Sequence, residues 1–205
     1  MGAVEFKRCD PSSNSGTSSS LIQKAGAGNS PPVRPIADGK RPPIDIGDLD
    51  MRIARDGTWF YCGSPIRRPA LVKLFASVLR REPDGGYSLV TPVERGRIEV
   101  EDVPFLAVGL TVEGDGREQK LIFHTNLDDI VTAGPDNPLR VETATSGEPA
   151  PYILVRDNLE ARLARAVFYD LVELGEEELN EETSQFGVWS SGRFFRLGEP
   201  GPDWG

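Results

Sequence analysis

Arg52, Trp59, Tyr61, Arg67 and Arg68 have the types and spacing to hold a planar anion. Trp59 and Tyr61 offer stacking planes, and Arg52 adds a cation beside them. Arg67 and Arg68 precede Pro69, a residue suited to the first turn of a helix. Unpaired backbone N–H groups and guanidinium forks there both favour anionic oxygen. A small anionic, nucleotide-like molecule is the ligand class such a set fits. The opposing reading is architectural: Trp59 and Tyr61 pack beneath a second half of the molecule and the arginines decorate the surface. The two readings agree if the site lies in a cleft between halves.

Catalytic chemistry finds less support. His124 is the only histidine, which excludes a two-histidine metal site. Nothing resembles a nucleophile elbow. Asp128-Asp129 reads as a helix N-terminal cap before it reads as a cation site. Gly114-Asp115-Gly116 lacks the lysine and the strand-to-helix setting of a phosphate cradle. The leading functional class is therefore a non-enzymatic ligand-binding or signalling module. A protein-interaction scaffold comes second, and an enzyme using Asp102 or His124 in a cleft third. No catalytic residue, metal or cofactor is expected.

The element that must position the first set is a hairpin. Asp56-Gly57 suits a two-residue type I′ turn. That register sets Ala54 opposite Trp59, Ile53 opposite Phe60, Arg52 opposite Tyr61 and Met51 opposite Cys62. Side chains alternate between faces. Met51, Ile53, Phe60 and Cys62 then form a core face, with Arg52, Trp59 and Tyr61 on the other. A helix follows from Pro69 to about residue 81, with a buried stripe of Leu71, Leu74, Phe75, Val78 and Leu79. Pro83-Asp84-Gly85-Gly86 stops it.

Beyond it, strands are predicted over 87–94 and 97–103, joined near Arg95-Gly96. The apolar run 105–112 reads as a strand buried on both faces. A turn at 114–116 leads to a partner strand over 119–125, and 126–130 reads as a helical turn. Short strands are predicted over 140–143 and 152–155. A second helix is predicted from an Asp157 cap, with Leu159, Leu163, Val167, Leu171 and Leu174 along one stripe and Gly175 as its stop. The acidic run 176–178 with Glu181-Glu182 reads as solvated surface. A last hairpin turns at Ser191-Gly192, placing Phe186, Val188, Phe195 and Leu197 on a core face and Trp189 with Phe194 on the other. Its likeness to the first hairpin, together with two helices, hints at a duplicated α+β motif.

The chain has 205 residues, 38% hydrophobic, enough for one compact domain or two small ones. A net charge of −9 argues against non-specific binding to nucleic acid or anionic membrane. Two cysteines, Cys9 and Cys62, make no disulfide framework. No apolar run is long enough to span a bilayer and no signal core opens the chain, so a cytoplasmic location is expected. Residues 1–40, rich in Ser, Gly, Asn and Pro, read as a disordered tail.

Several runs resemble a bacterial family, the domain-of-unknown-function family 1285. They are Arg52-Ile53-Ala54-Arg55-Asp56-Gly57-Thr58-Trp59-Phe60-Tyr61-Cys62-Gly63-Ser64-Pro65-Ile66 with Arg67-Arg68, then Glu101-Asp102-Val103-Pro104-Phe105. Thr125-Asn126 with Asp128, and Arg156 leading into Leu159-Glu160-Ala161, complete the set. The likeness spans roughly residues 42–197. It implies a duplicated α+β core and a C-terminal half superficially like a pleckstrin-homology fold. It also implies a ligand site between halves and a signalling role. The expected architecture is thus α+β, mostly antiparallel sheets with two packing helices. A tail over 1–40 precedes halves over 41–113 and 114–198, and a short tail over 199–205 follows.

Overall fold

The computed structural model describes residues 42–143, 147–180 and 183–198. The expectations for both tails, for Cys9 and for Glu181-Glu182 fall outside these residues. The chain opens with β1 (Ile44–Ile53), β2 (Trp59–Tyr61) and the short β3 (Ser64–Pro65). Next come helix α1 (Pro69–Ser77), β4 (Leu79–Arg81), β5 (Tyr87–Val90) and β6 (Glu94–Val100). The second half runs through β7 (Phe105–Glu113), a 3-10 turn (Gly116–Glu118), β8 (Lys120–Thr125) and β9 (Ile130–Thr132). It continues with β10 (Leu139–Thr143), β11 (Pro149–Arg156), β12 (Leu159–Leu163) and helix α2 (Arg165–Glu173). A closing meander comprises β13 (Glu176–Asn180), β14 (Thr183–Ser190) and β15 (Arg193–Gly198). Among the described residues no helix is long and apolar enough to cross a membrane.

The fold is α+β and duplicated. The first sheet has the order β3-β2-β1-β6-β5-β4 and the second β10-β11-β12-β7-β8-β9. Adding six to each label of the first reproduces the second, read from its other end. Each sheet is two antiparallel three-stranded meanders joined by one parallel seam, β1 on β6 and β7 on β12. The repeat therefore equates the β1–β2 hairpin with β7–β8, and not with β14–β15 as the hairpin sequences suggested. The third sheet, β13-β14-β15, has no counterpart among the described residues of the first half. The change from one sheet to the next falls between β6 and β7, and β7 is hydrogen-bonded wholly within the second sheet.

The first hairpin departs from its predicted register, and the turn explains why. Ala54 N–H donates to the Thr58 carbonyl at 2.9 Å and Gly57 N–H to the Ala54 carbonyl at 2.9 Å. Gly57 is left-handed at φ +80°, while Asp56 is absent from the positive-φ residues. This is a three-residue loop, a type I turn closed by a left-handed glycine, and not the type I′ turn expected. Ile53 now pairs with Trp59, Arg52 with Phe60 and Met51 with Tyr61. A one-residue slip exchanges the faces of an entire strand. Trp59 becomes a core residue at 1% exposure, beside Met51 and Ile53, while Phe60 turns outward with Arg52. Cys62, expected in the core, is exposed: with Gly63 it forms a left-handed two-residue turn into β3, at φ +47° and +71°. The last hairpin keeps its predicted register, because Ser191 and Gly192 do adopt the paired positive φ of a type I′ turn. Phe186, Val188, Phe195 and Leu197 are buried there, and Trp189 packs on Phe194 at 5.4 Å between rings.

Both helices are shorter than predicted, for one reason: part of each predicted helix is a strand, β4 after α1 and β12, with its alternating apolar residues, before α2. Helix α1 ends at Ser77 and Leu79 pairs with Leu89 in β4. It buries Val72 and Ala76, while Leu74 from the predicted stripe is 45% exposed. Before α2, Asp157 and Asn158 are left-handed and turn β11 into β12 instead of capping a helix. Leu159, Ala161 and Leu163 are buried at period two, and α2 buries Val167, Phe168 and Leu171. Gly175 is not left-handed; its missing Cβ leaves room for the Phe186 ring, which would stand 2.1 Å away.

Smaller corrections follow the same logic. The β5–β6 link is a turn built on Thr91, whose hydroxyl accepts the Glu94 N–H at 3.0 Å. β7 is not buried on both faces, since Val108 and Val112 are 51% and 38% exposed. Residues 126–129 form a tight turn held by Thr125 Oγ1, which accepts the Asp129 N–H at 3.0 Å, so Asp128-Asp129 caps no helix. The acidic residues 176–178 lie in the edge strand β13, where Glu176 and Glu177 keep the solvent exposure expected of them.

Candidate functional site

The tip of the first hairpin is where the halves meet. Arg55 N–H donates to Glu101 Oε2 at 3.0 Å, and Arg52 is paired with the other oxygen of that carboxylate. A Cβ on Gly57 would lie 2.6 Å from Asn126 Nδ2 and 3.6 Å from Leu106, so only a glycine lets the tip seat this closely. Asn126 in turn accepts the Leu106 N–H at 3.1 Å through its side-chain oxygen and donates its backbone N–H to the Leu106 carbonyl at 2.8 Å. Asp56 stays in its own turn, accepting the Thr58 N–H at 2.9 Å, and that hydrogen bond draws its carboxyl below the ordinary value.

Beside this joint a cleft of about 620 Å³ opens between the halves. The hairpin supplies Arg55 and Asp56; the second half supplies a floor of Leu106, Pro151, Leu163 and Phe168. Arg162 on β12, Arg165 and Tyr169 on α2, and Glu148 with Pro149 at the start of β11 form the remaining wall. Helix α2 begins in this wall without a side-chain cap. Arg165 Nε donates to the Tyr169 hydroxyl at 3.0 Å, which raises the guanidinium pKa, and Tyr169 remains 54% exposed. Arg55 is 68% exposed, and its Nε stands 4.0 Å from Asp102.

Asp102, on the link between the sheets, is the hub behind the cleft. Its Oδ1 accepts from the Tyr152 hydroxyl at 3.0 Å and its Oδ2 from Arg162 at 2.9 Å. Burial, then this hydrogen bond to Asp102, holds the Tyr152 phenol above its ordinary value of 10.0. Arg140 lies over the Tyr152 ring at 4.5 Å and forks onto Glu160 at 2.6 and 2.8 Å, so its pKa is raised. With both carboxylate oxygens held, Asp102 orients Arg162 and is not placed as a free base. His124 lies on β8, its Nε2 3.1 Å from Thr111 Oγ1, outside the cleft.

A second seam contact lies at the end of α1. Arg156 donates to the Ala76 carbonyl at 3.1 Å and stands 3.9 Å from Asp129, while Lys73 is paired with Asp128. These contacts tie the helix to the turns of the second half around a smaller hollow of about 330 Å³.

The residues singled out from sequence are not brought together. Trp59 is buried and stacks on Phe75 at 6.4 Å and 17°, its indole N–H without a partner among the described residues. Tyr61 packs against the same core. Arg52 lies on the opposite face, over Phe60 at 4.4 Å, in a separate hollow with Asp48, Asp50 and Glu99. Arg67 and Arg68 are exposed before α1 and line none of these hollows. Arg55, Arg162, Arg165 and Tyr169 went unnoticed because 159–175 reads as one helix and Arg55 as a turn residue. A period-two reading of Leu159, Ala161 and Leu163 places Arg162 on an outward strand face.

Comparison with known proteins bears on the whole arrangement. The model of the DUF1285 N-terminal domain, a domain of unknown function, matches residues 35–103, and that of the C-terminal domain, a protein of unknown function, matches 104–197. No curated protein matches. A crystal structure of a DUF1285 family protein from Silicibacter pomeroyi is 50% identical, with a TM-score of 0.71, covering 80% of this chain and 90% of that one. Another, from Shewanella baltica, is 26% identical, with a TM-score of 0.49, covering 61% of this chain and 91% of that one. The chain belongs to the DUF1285 family and carries both of its domains.

Proposed function

We propose that this protein is a non-catalytic, small-molecule-binding module whose ligand is an anion with a flat or apolar body. The carrying observation is that guanidinium groups of both halves, Arg55 from one and Arg162 and Arg165 from the other, surround one apolar-floored cleft. Its volume of about 620 Å³ falls within the roughly 300–1,000 Å³ usual for small-molecule sites. Tyr169 takes over the stacking role first assigned to Trp59, so a nucleotide-like ligand fits: phosphate towards Arg55 and Arg165, ring against Tyr169. Because such a ligand touches both halves, its binding would couple them. That coupling supports a signalling role.

Thermal unfolding in the presence of nucleoside mono-, di- and triphosphates tests this reading. A ligand at a hundred times its Kd adds about 2.7 kcal/mol of stability, a readily measured shift. Arg165→Ala and Arg55→Ala are expected to weaken binding about tenfold or more each, while Arg67→Ala leaves it unchanged. A panel in which no compound shifts the transition, or binding indifferent to both cleft arginines, defeats the proposal.

A further inference from the structure

The formal charges around the cleft between the halves cancel, and that limits what it accepts. Three guanidiniums line it, those of Arg55, Arg162 and Arg165, together with the carboxylates of Asp56 and Glu148. Asp102 stands directly behind. Its Oδ2 accepts from Arg162 at 2.9 Å and lies 4.0 Å from Arg55 Nε, so one carboxylate oxygen serves two of the three arginines.

Each of the three carboxylates is charged at neutral pH, and they differ in reach. Asp102 is 16% exposed and Arg162 26%, so solvent and salt screen this pair weakly. Asp56 is fixed in its turn, where the Thr58 N–H holds its carboxyl below the ordinary value. Glu148 is exposed just before β11, and its charge, after the contact with Tyr169, raises the Arg165 pKa.

What the carboxylates leave unmatched is the N-terminus of α2. Ala164 gives it no side-chain cap, and its first turn carries no acid. About half a unit of positive charge and the first backbone N–H groups are therefore available to a ligand.

Building on the nucleotide-like reading above, we infer that Asp102 sets the charge this cleft accepts and that the ligand carries a single phosphate. One phosphate group has a charge of about −1.5 to −2 at neutral pH. The α2 N-terminus and the guanidinium N–H groups that Asp102 does not engage suffice for one such group. A second or third phosphate meets Asp56, Glu148 and Asp102 with every guanidinium already matched, and like charges brought together oppose binding. The chain's net charge of −9 adds a repulsion that grows with each phosphate. Asp102 thus acts through Arg55 and Arg162, as a positioning residue that also fixes specificity.

Titration calorimetry of the full chain with adenosine mono-, di- and triphosphate, without divalent cations, tests this. The monophosphate is expected to bind about tenfold or more tighter than the triphosphate, with the diphosphate between. Asp102→Asn keeps an oxygen for Arg162 and removes the charge, so it should shift that ratio about tenfold towards the triphosphate. A merely structural role would weaken all three ligands alike. Because Asp102 belongs to a buried network, Glu148→Gln, at an exposed position, is the second variant and should shift the ratio in the same direction. A triphosphate that binds the unmodified protein as tightly as the monophosphate overturns the single-phosphate assignment and leaves the nucleotide reading standing. So does a ratio that neither variant moves. Absence of binding by all three compounds defeats both.

Discussion

Trp59 carries the heaviest single consequence of the hairpin register. A side chain at 1% exposure, stacked on Phe75, belongs to the core shared by the first sheet and α1. Trp59→Ala should cost about 3–5 kcal/mol in urea unfolding, whereas Arg52→Ala, on the outer face, should cost about 1 kcal/mol or less. Equal losses would contradict the three-residue turn. Tyr152 and Tyr87 make a second residue-scale prediction. Burial, the larger cause for each, raises both phenols above their ordinary value of 10.0. The unfolded chain therefore gives up these protons first, and the folded state binds more of them just above pH 10. Stability from this source is fully present below that value and is lost as pH rises from it through the raised folded-state value. Tyr152→Phe with Tyr87→Phe should flatten the alkaline fall in unfolding free energy, and an unchanged slope would count against it. At this scale Met51 and Ile53 were legible as core, because any hairpin register keeps them on the face that the first sheet buries. Trp59 was not, because its face depends on one residue of turn length.

Turn chemistry decides the elements. Asp56-Gly57, Ser191-Gly192 and Asp157-Asn158 are all turn dipeptides, yet only the last two adopt paired positive φ. The first shares its loop with Arg55, whose N–H is claimed by Glu101, and its glycine is pressed against Asn126. Such long-range contacts leave no trace in a dipeptide. They also separate two glycines of similar φ. Gly63, at +71°, has nothing within 4 Å of where a Cβ would stand, while Gly57, at +80°, meets Asn126. Gly63→Ala should cost about 1 kcal/mol from backbone strain alone. Gly57→Ala should cost clearly more and loosen the joint between halves, seen as faster amide exchange at Asn126. Matching losses at the two positions would remove the close-docking argument. The helix boundaries were misread for a related reason: Val78 and Leu79 continue the helix stripe, and 159–163 carries an apolar pattern that suits a strand of period two as well as a helix.

Across the whole molecule, duplication was legible but its equivalence was not. The hairpin likeness pointed to β14–β15, whereas strand order equates β1–β6 with β7–β12. A repeat expressed in topology survives the loss of side-chain identity, which sequence comparison within the chain cannot detect. The halves are tied by Arg156 to Ala76, by Lys73 to Asp128 and by the seated hairpin tip. Arg156→Ala should therefore weaken the coupling between the halves, by about 1–3 kcal/mol for a lost charged hydrogen bond. Differential scanning calorimetry would show the transition broadening, and a uniform sharp shift would argue that the halves do not depend on this tie.

The parallel seams have a consequence for how the chain is born. Each sheet is closed by its own first and last strands, Ile44–Ile53 with Glu94–Val100 and Phe105–Glu113 with Leu159–Leu163. Neither meander can wait for the other half, since its partner lies within its own stretch of chain. The first sheet is complete before the ribosome has made Phe105, so it can close during synthesis. Its seam is also the contact of longest reach within that sheet and carries the largest loop-closure entropy, so it forms last. Pulse-labelled exchange on refolding chains should accordingly find β5 and the β5–β6 turn protected early and the Ile44–Ile53 seam late.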